Sequence, residues 1–98
     1  MSYAVEVEER VKKTLKTLDK PTVRFINDKI EKLSHDPYDT RLSKPVTMSP
    51  GRRSARVGGW RIIYYISEEN RKLFVAAVCP RDKAYEEAAK RASPKAQE

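Results

Sequence analysis

Apolar and polar residues alternate at the start of the chain, in YAVEVEE from Tyr3 to Glu9, and this period of two predicts a strand with Tyr3, Val5 and Val7 on one face. The period then lengthens. Val11, Leu15 and Leu18 recur at helical spacing with lysines between them, until Asp19-Lys20-Pro21 breaks the run. Pro21 suits the first turn of a second helix, in which Val23, Ile26, Ile30 and Leu33 form an apolar stripe. A helical hairpin with such stripes must cover something flat. From Ser34 to Gly51 the periodicity stops, and Pro37, Pro45 and Pro50 among polar residues predict a long connection, a kind that is often functional. RRSARV and WRIIYYI then read as two strands joined by Gly58-Gly59, a two-residue turn in which both glycines take positive φ. SEENR makes the next turn, and KLFVAAVC is the last strand, ended by Pro80. DKAYEEAAKRA predicts a short terminal helix with Glu86–Lys90 and Glu87–Arg91 at i,i+4 spacing. The order β-α-α-β-β-β-α describes an α+β fold: an antiparallel four-stranded sheet with the helical hairpin on one face and a short C-terminal helix. It forms one domain over residues 1–92, with residues 93–98 as a flexible tail.

Charge sharpens this picture. The chain has 98 residues and a net charge of +7, and its first 39 residues balance eight acids against eight bases. The whole excess therefore lies beyond residue 39. Between Asp39 and Glu68 there is no acid, while Arg41, Lys44, Arg52, Arg53, Arg56 and Arg61 all fall there. A field of one sign attracts polyanions, and the planar fork of arginine suits phosphate better than the point charge of lysine. No apolar run approaches the roughly 18 residues that span a bilayer, and the N-terminus lacks the basic-then-apolar layout of a signal peptide. The expectation is a soluble cytoplasmic protein without membrane contact. The single cysteine, Cys79, has no companion for a disulfide or a metal site and reads as a small buried hydrophobe. His35, the one histidine, reads as an exposed residue at a helix end.

The period of two also sorts the arginines by face. Ala55 and Val57 point one way along their strand, and Arg52, Ser54 and Arg56 the other. In the next strand Ile62, Tyr64 and Ile66 share a face, opposite to Arg61, Ile63 and Tyr65. The apolar sets must meet the helices, so Arg52, Arg56 and Arg61 gather on the other face. Like charges with no local acid favour an anion-binding site over a structural salt bridge, and the expected ligand is a phosphodiester.

The stretches YAVEVEERVKKTLKTLDK, LSHDPYDTRLSKP, ARVGGWRIIYYI and VAAVCPRDKAY together resemble the RelE superfamily of toxins from type II toxin–antitoxin systems (RelE/ParE-like). The proline before Arg81 brings the resemblance nearest to archaeal RelE. It implies a toxin that enters the ribosomal A site and cleaves mRNA there by attack of a 2′-hydroxyl on the adjacent phosphate. In that scheme Arg61 resembles the arginine that stabilises the transition state, Arg81 the second phosphate-binding arginine, and Tyr85 the tyrosine that stacks on or orients the nucleotide. Arg52, Arg53, Arg56, Lys44 and Lys83 are the implied RNA-phosphate contacts. RelE has lysines where Arg52 and Ser54 stand, which leaves the proton acceptor open among Tyr85, Lys83, a substrate group and no base at all.

The resemblance further implies a RelB-like antitoxin, the ribosome and mRNA as partners, a toxin–antitoxin hetero-oligomer, and neither metal nor cofactor. Two other functions fit the same residues. One is a ParE-like toxin that inhibits DNA gyrase. The other is an RNA-binding module without catalysis, which predicts salt-sensitive binding and no effect on growth.

Overall fold

The computed structural model describes residues 2–47 and 49–80. Strand β1 (Ala4–Val7) leads into helix α1 (Glu9–Lys16) and helix α2 (Lys20–His35), followed by β2 (Ser43–Pro45), β3 (Arg52–Val57), β4 (Trp60–Ser67) and β5 (Lys72–Pro80). Asp19 separates the two helices by capping the second. Its carboxylate accepts from the Thr22 backbone N–H at 3.3 Å and from the Thr22 hydroxyl at 2.7 Å, while Pro21 occupies the first turn, where no N–H is missed.

The five strands form one sheet in the order β1-β5-β4-β3-β2. This corrects the expectation of four antiparallel strands in two respects. Ser43–Pro45 adds an edge strand inside the long connection, antiparallel to β3 with Lys44 opposite Ser54. β1 runs parallel to β5, with Val5 opposite Leu73, so the sheet is mixed. β1 thus takes the edge beside the last strand of the β3–β4–β5 meander, opposite the edge held by β2.

The hairpin turn also departs from expectation. Gly58 takes φ +57°, but Gly59 does not have a positive φ, so only one of the two glycines needs the left-handed region. The predicted terminal helix and the tail lie outside the described residues.

The helices cover one face of the sheet. Val11 of α1 and Ile26, Ile30 and Leu33 of α2 pack on Ala55, Ile62, Tyr64, Leu73, Val75 and Val78, all of them buried. Each valine, isoleucine or leucine among them removed from water contributes about 1.5–3 kcal/mol, which is what holds the hairpin down. A smaller cluster of Val46, Ile63, Ala77 and Cys79 lies on the opposite face, so the side away from the helices carries a short apolar strip of its own. Cys79 is buried there, as its pattern predicted. His35 is exposed at the last residue of α2, its Nδ1 3.1 Å from the Ser2 hydroxyl. Among the described residues no helix is long and apolar enough to cross a membrane.

Candidate phosphate-binding face

β3 and β4 fix the site. Their ladder sets Arg56 directly opposite Arg61, one pair in from Val57–Trp60 and the turn. Side chains of directly opposed residues are neighbours on one face, and like charges in that position repel. β2 extends the same row, because Lys44 stands opposite Ser54 and shares its face. Lys44, Ser54, Arg56 and Arg61 line a shallow cleft of about 160 Å³, with Thr40, Arg41, Leu42 and Ser43 closing its edge.

Among the described residues the charges in this cleft are almost uncompensated. Arg41 is held by Asp39, with Nη2 2.9 Å from Oδ2, and this pairing keeps the Asp39 carboxyl below the ordinary aspartate range. Arg56 makes a bond of 3.4 Å to the Gly58 carbonyl. Among the described residues neither Arg56, Arg61 nor Lys44 has an acidic partner. Arg61 is half-buried in the central strand, where the backbone ladder on both sides holds it rigidly. A fixed cation of this kind spends no reorganisation when negative charge develops in front of it.

Ser54 departs from the chemistry of its neighbours. Its hydroxyl is buried and has no hydrogen-bond partner among the described residues. It supplies neither charge nor a proton acceptor of suitable basicity beside Arg56 and Arg61.

The structure divides the remaining residues expected at the site. Arg52 shares the face but sits four residues along β3 from Arg56, about 13 Å away, its guanidinium 4.3 Å from the centre of the Tyr65 ring. Tyr65 in turn stacks on Phe74 at 4.9 Å. Arg53 faces the helices instead, because it lies in register with Ala55 and Val57. There its Nε donates to the Ser43 hydroxyl at 2.9 Å. That hydroxyl is 2.6 Å from the Tyr64 hydroxyl, which donates to the Pro37 carbonyl at 2.7 Å. The expectation that Arg53 joins the phosphate contacts is thus corrected on geometry: it belongs to a buried chain that ties β2 and its approach to the central strand. Burial pushes the Tyr64 phenol above its ordinary range, with Ser43 and Arg53 opposing the shift. Arg81, Lys83 and Tyr85 lie outside the described residues.

Two features of the site went unread in the sequence. Arg41 and Thr40 border the cleft because the short strand β2 folds the connection back against β3. Tyr3, Tyr38, Glu68 and Arg71 form an exposed cluster away from it. Glu68 accepts from both tyrosines, from Tyr3 at 2.8 and 3.0 Å, and Arg71 donates to the Tyr3 hydroxyl at 3.2 Å. Among the described residues no group of acids, histidines and cysteine is arranged to hold a metal ion.

Known proteins share this architecture. The RelBE2 toxin–antitoxin complex from Mycobacterium tuberculosis contains a chain 25% identical to this one, with a TM-score of 0.72, covering 83% of this chain and 100% of that one. A RelE–RelB complex from the archaeon Pyrococcus horikoshii gives 24% identity and a TM-score of 0.70, over 83% of this chain and 97% of that one. A doubly substituted RelE toxin of Escherichia coli in the free state gives 22% and 0.77, over 93% and 98%. No curated protein sequence matches the chain. The family model of the ParE toxin of type II toxin–antitoxin systems, parDE, matches residues 5–85. With that match running through both helices and all five strands, the chain belongs to the ParE toxin family of type II toxin–antitoxin systems, on a RelE-like fold.

Proposed function

We propose that this toxin acts on RNA, cleaving mRNA in the ribosomal A site and so arresting translation in the cytoplasm. The observation that carries the reading is the Arg56–Arg61 pair: two opposed cations on a rigid strand, with no acid beside them among the described residues. In the reaction the 2′-hydroxyl oxygen bonds to the adjacent phosphorus and the bond to the 5′ oxygen breaks. The products are a 2′,3′-cyclic phosphate and a free 5′-hydroxyl. Arg61 and Arg56 would balance the charge that gathers on the phosphorane oxygens, and Lys44 would hold a flanking phosphate. Arg81 and Tyr85 complete the set by resemblance, as leaving-group partner and nucleotide orienter. With Ser54 neutral, catalysis rests mainly on positioning and electrostatics rather than on a strong base at that position.

A RelB-like antitoxin is the proposed partner, assembled with the toxin as a hetero-oligomer. The RelB–RelE complexes among the structural neighbours support this. Induced expression followed by primer extension on translated mRNA tests the activity. Cuts within A-site codons are expected, reduced about 10²–10³-fold in Arg61→Ala and lowered in Arg81→Ala; growth arrest with intact mRNA would refute it. One observation favours a second reading, inhibition of DNA gyrase: the family match is to the ParE toxin. A supercoiling assay that detects cleavage complexes separates the two.

A further inference from the structure

A second groove opens on the helix side of the β3–β4 turn, with a volume of about 750 Å³. α2 forms one wall with Phe25, Asp28, Lys29 and Lys32, and the tip of the hairpin forms the other with Arg56 and Trp60. Phe25 is unusual for this surface. It is 61% exposed, on the flank of α2 beside the buried stripe of Ile26, Ile30 and Leu33. Among the described residues it belongs to neither buried hydrophobic cluster.

The electrostatics of the groove match those of the cleft. Lys29, Lys32 and Arg56 face a single acid, Asp28, and among the described residues none of the three cations forms an ion pair. Arg56 lines both depressions, so the basic surface runs continuously from the cleft around the hairpin tip into the groove. Aromatic faces interleaved with cations are what a single-stranded nucleic acid requires. Every base offers a π-face for stacking, and the backbone follows the positive charge.

We propose that the groove between α2 and the β3–β4 turn is a second RNA subsite. A nucleotide flanking the phosphate bound at Arg56 and Arg61 places its base against Phe25 and Trp60, and its phosphates meet Lys29 and Lys32. The proposal rests on the RNA-directed reading of the toxin. It makes Arg56 the joint between the reacting phosphate and the flanking chain. An acidic protein segment is the competing occupant, and the continuity through Arg56 favours RNA.

The test is binding of a fluorescent, single-stranded 2′-O-methyl oligoribonucleotide, which cannot undergo 2′-hydroxyl attack, followed by anisotropy across a salt series. Phe25→Ala is expected to weaken binding about tenfold. Lys29→Ala with Lys32→Ala is expected to reduce the slope of log affinity against log salt by about 0.7 for each phosphate that is no longer neutralised. Phe25 and Lys32 are exposed, and unchanged thermal melts confirm that the variants fold. Wild-type affinity and slope in the groove variants, together with loss of binding in Arg61→Ala, would overturn the subsite and leave the RNA reading standing. Absence of oligonucleotide binding by the wild-type protein would overturn the subsite, while the primer-extension assay decides the RNA reading separately. Loss of antitoxin capture in Phe25→Ala with RNA binding intact would reassign the groove to the protein partner and overturn the proposal.

Discussion

Replacing Arg61 by threonine should make the isolated toxin more stable while disabling it. Arg56 and Arg61 are directly opposed in the β3–β4 ladder, and a like-charge pair in that position costs about 0.2–1 kcal/mol. Threonine supplies a β-branched shape that suits a strand and removes one charge. In a domain of this size 1 kcal/mol corresponds to about 4–8 °C, so the melting temperature of Arg61→Thr should rise by about 1–8 °C at low salt. Part of that gain is offset, because Arg61 is half-buried and its aliphatic stem packs on the sheet. A double-mutant cycle with Arg56→Thr removes the packing contribution and isolates the coupling, which should be repulsive. In 1 M salt, where the screening length falls to about 3 Å, the coupling should shrink toward zero. The assay is thermal unfolding by circular dichroism at low and high salt. A lower melting temperature for Arg61→Thr at low salt, with an attractive coupling in the cycle, would mean that the arginines are structural partners and would refute the anion site.

Three further outcomes follow from the same geometry. Ser54→Ala should leave stability unchanged or raise it by about 1 kcal/mol, because it removes a buried hydroxyl with no partner among the described residues. A urea titration that shows it less stable by more than that would reveal a bond to the hydroxyl. Tyr64→Phe should cost about 1–3 kcal/mol in the same assay, since it takes the donor from the Pro37 carbonyl and leaves the Ser43 hydroxyl with Arg53 alone in a buried place. It should also loosen β2 and with it the placement of Lys44. The Glu68 cluster should confer a pH dependence at both ends. Hydrogen bonds from Tyr38 and Tyr3 hold the Glu68 carboxyl below its ordinary value of 4.5, so its contribution is full above that value and falls away as the pH drops further. The bond to Glu68 pushes the Tyr38 phenol from 10.0 up to about 12, so that contribution is full below pH 10 and is lost as the pH rises toward 12. Melting curves across these ranges should flatten in Glu68→Gln, and an unaltered profile would refute the assignment.

Much of the site was readable before the fold was known, because strand geometry is local. Alternation alone assigned Arg56 and Arg61 to one face and Ala55, Ile62 and Tyr64 to the other, and a strand cannot turn its side chains otherwise. The same rule already separated Arg53 from Arg52; grouping both as phosphate contacts followed their charge and ignored their parity. The stripe of Ile26, Ile30 and Leu33 likewise identified the buried face of α2, and Asp19 with Pro21 identified its start. Phe25 carries no such signal. On the flank of α2 it reads as one exposed aromatic, and only the approach of the hairpin tip makes a groove of it.

The sequence by itself determined the α+β class, the helical hairpin, the three-strand meander and the faces of the β3–β4 hairpin, since these follow from periods of two and 3.6 and from turn chemistry. In β5 a bulge breaks the period, so that Leu73, Val75 and Val78 share the helix side. Only the tertiary structure decided what depends on pairing between distant segments. Ser-Lys-Pro has no alternation of its own and becomes a strand because β3 offers it an edge, fastened by the Arg53–Ser43–Tyr64–Pro37 chain. β1 pairs with β5 for the same reason: its partner is the edge strand on which the meander ends. The cleft itself depends on that pairing, because β2 delivers Lys44 and Arg41 to a pair of arginines that the local pattern had already set face to face.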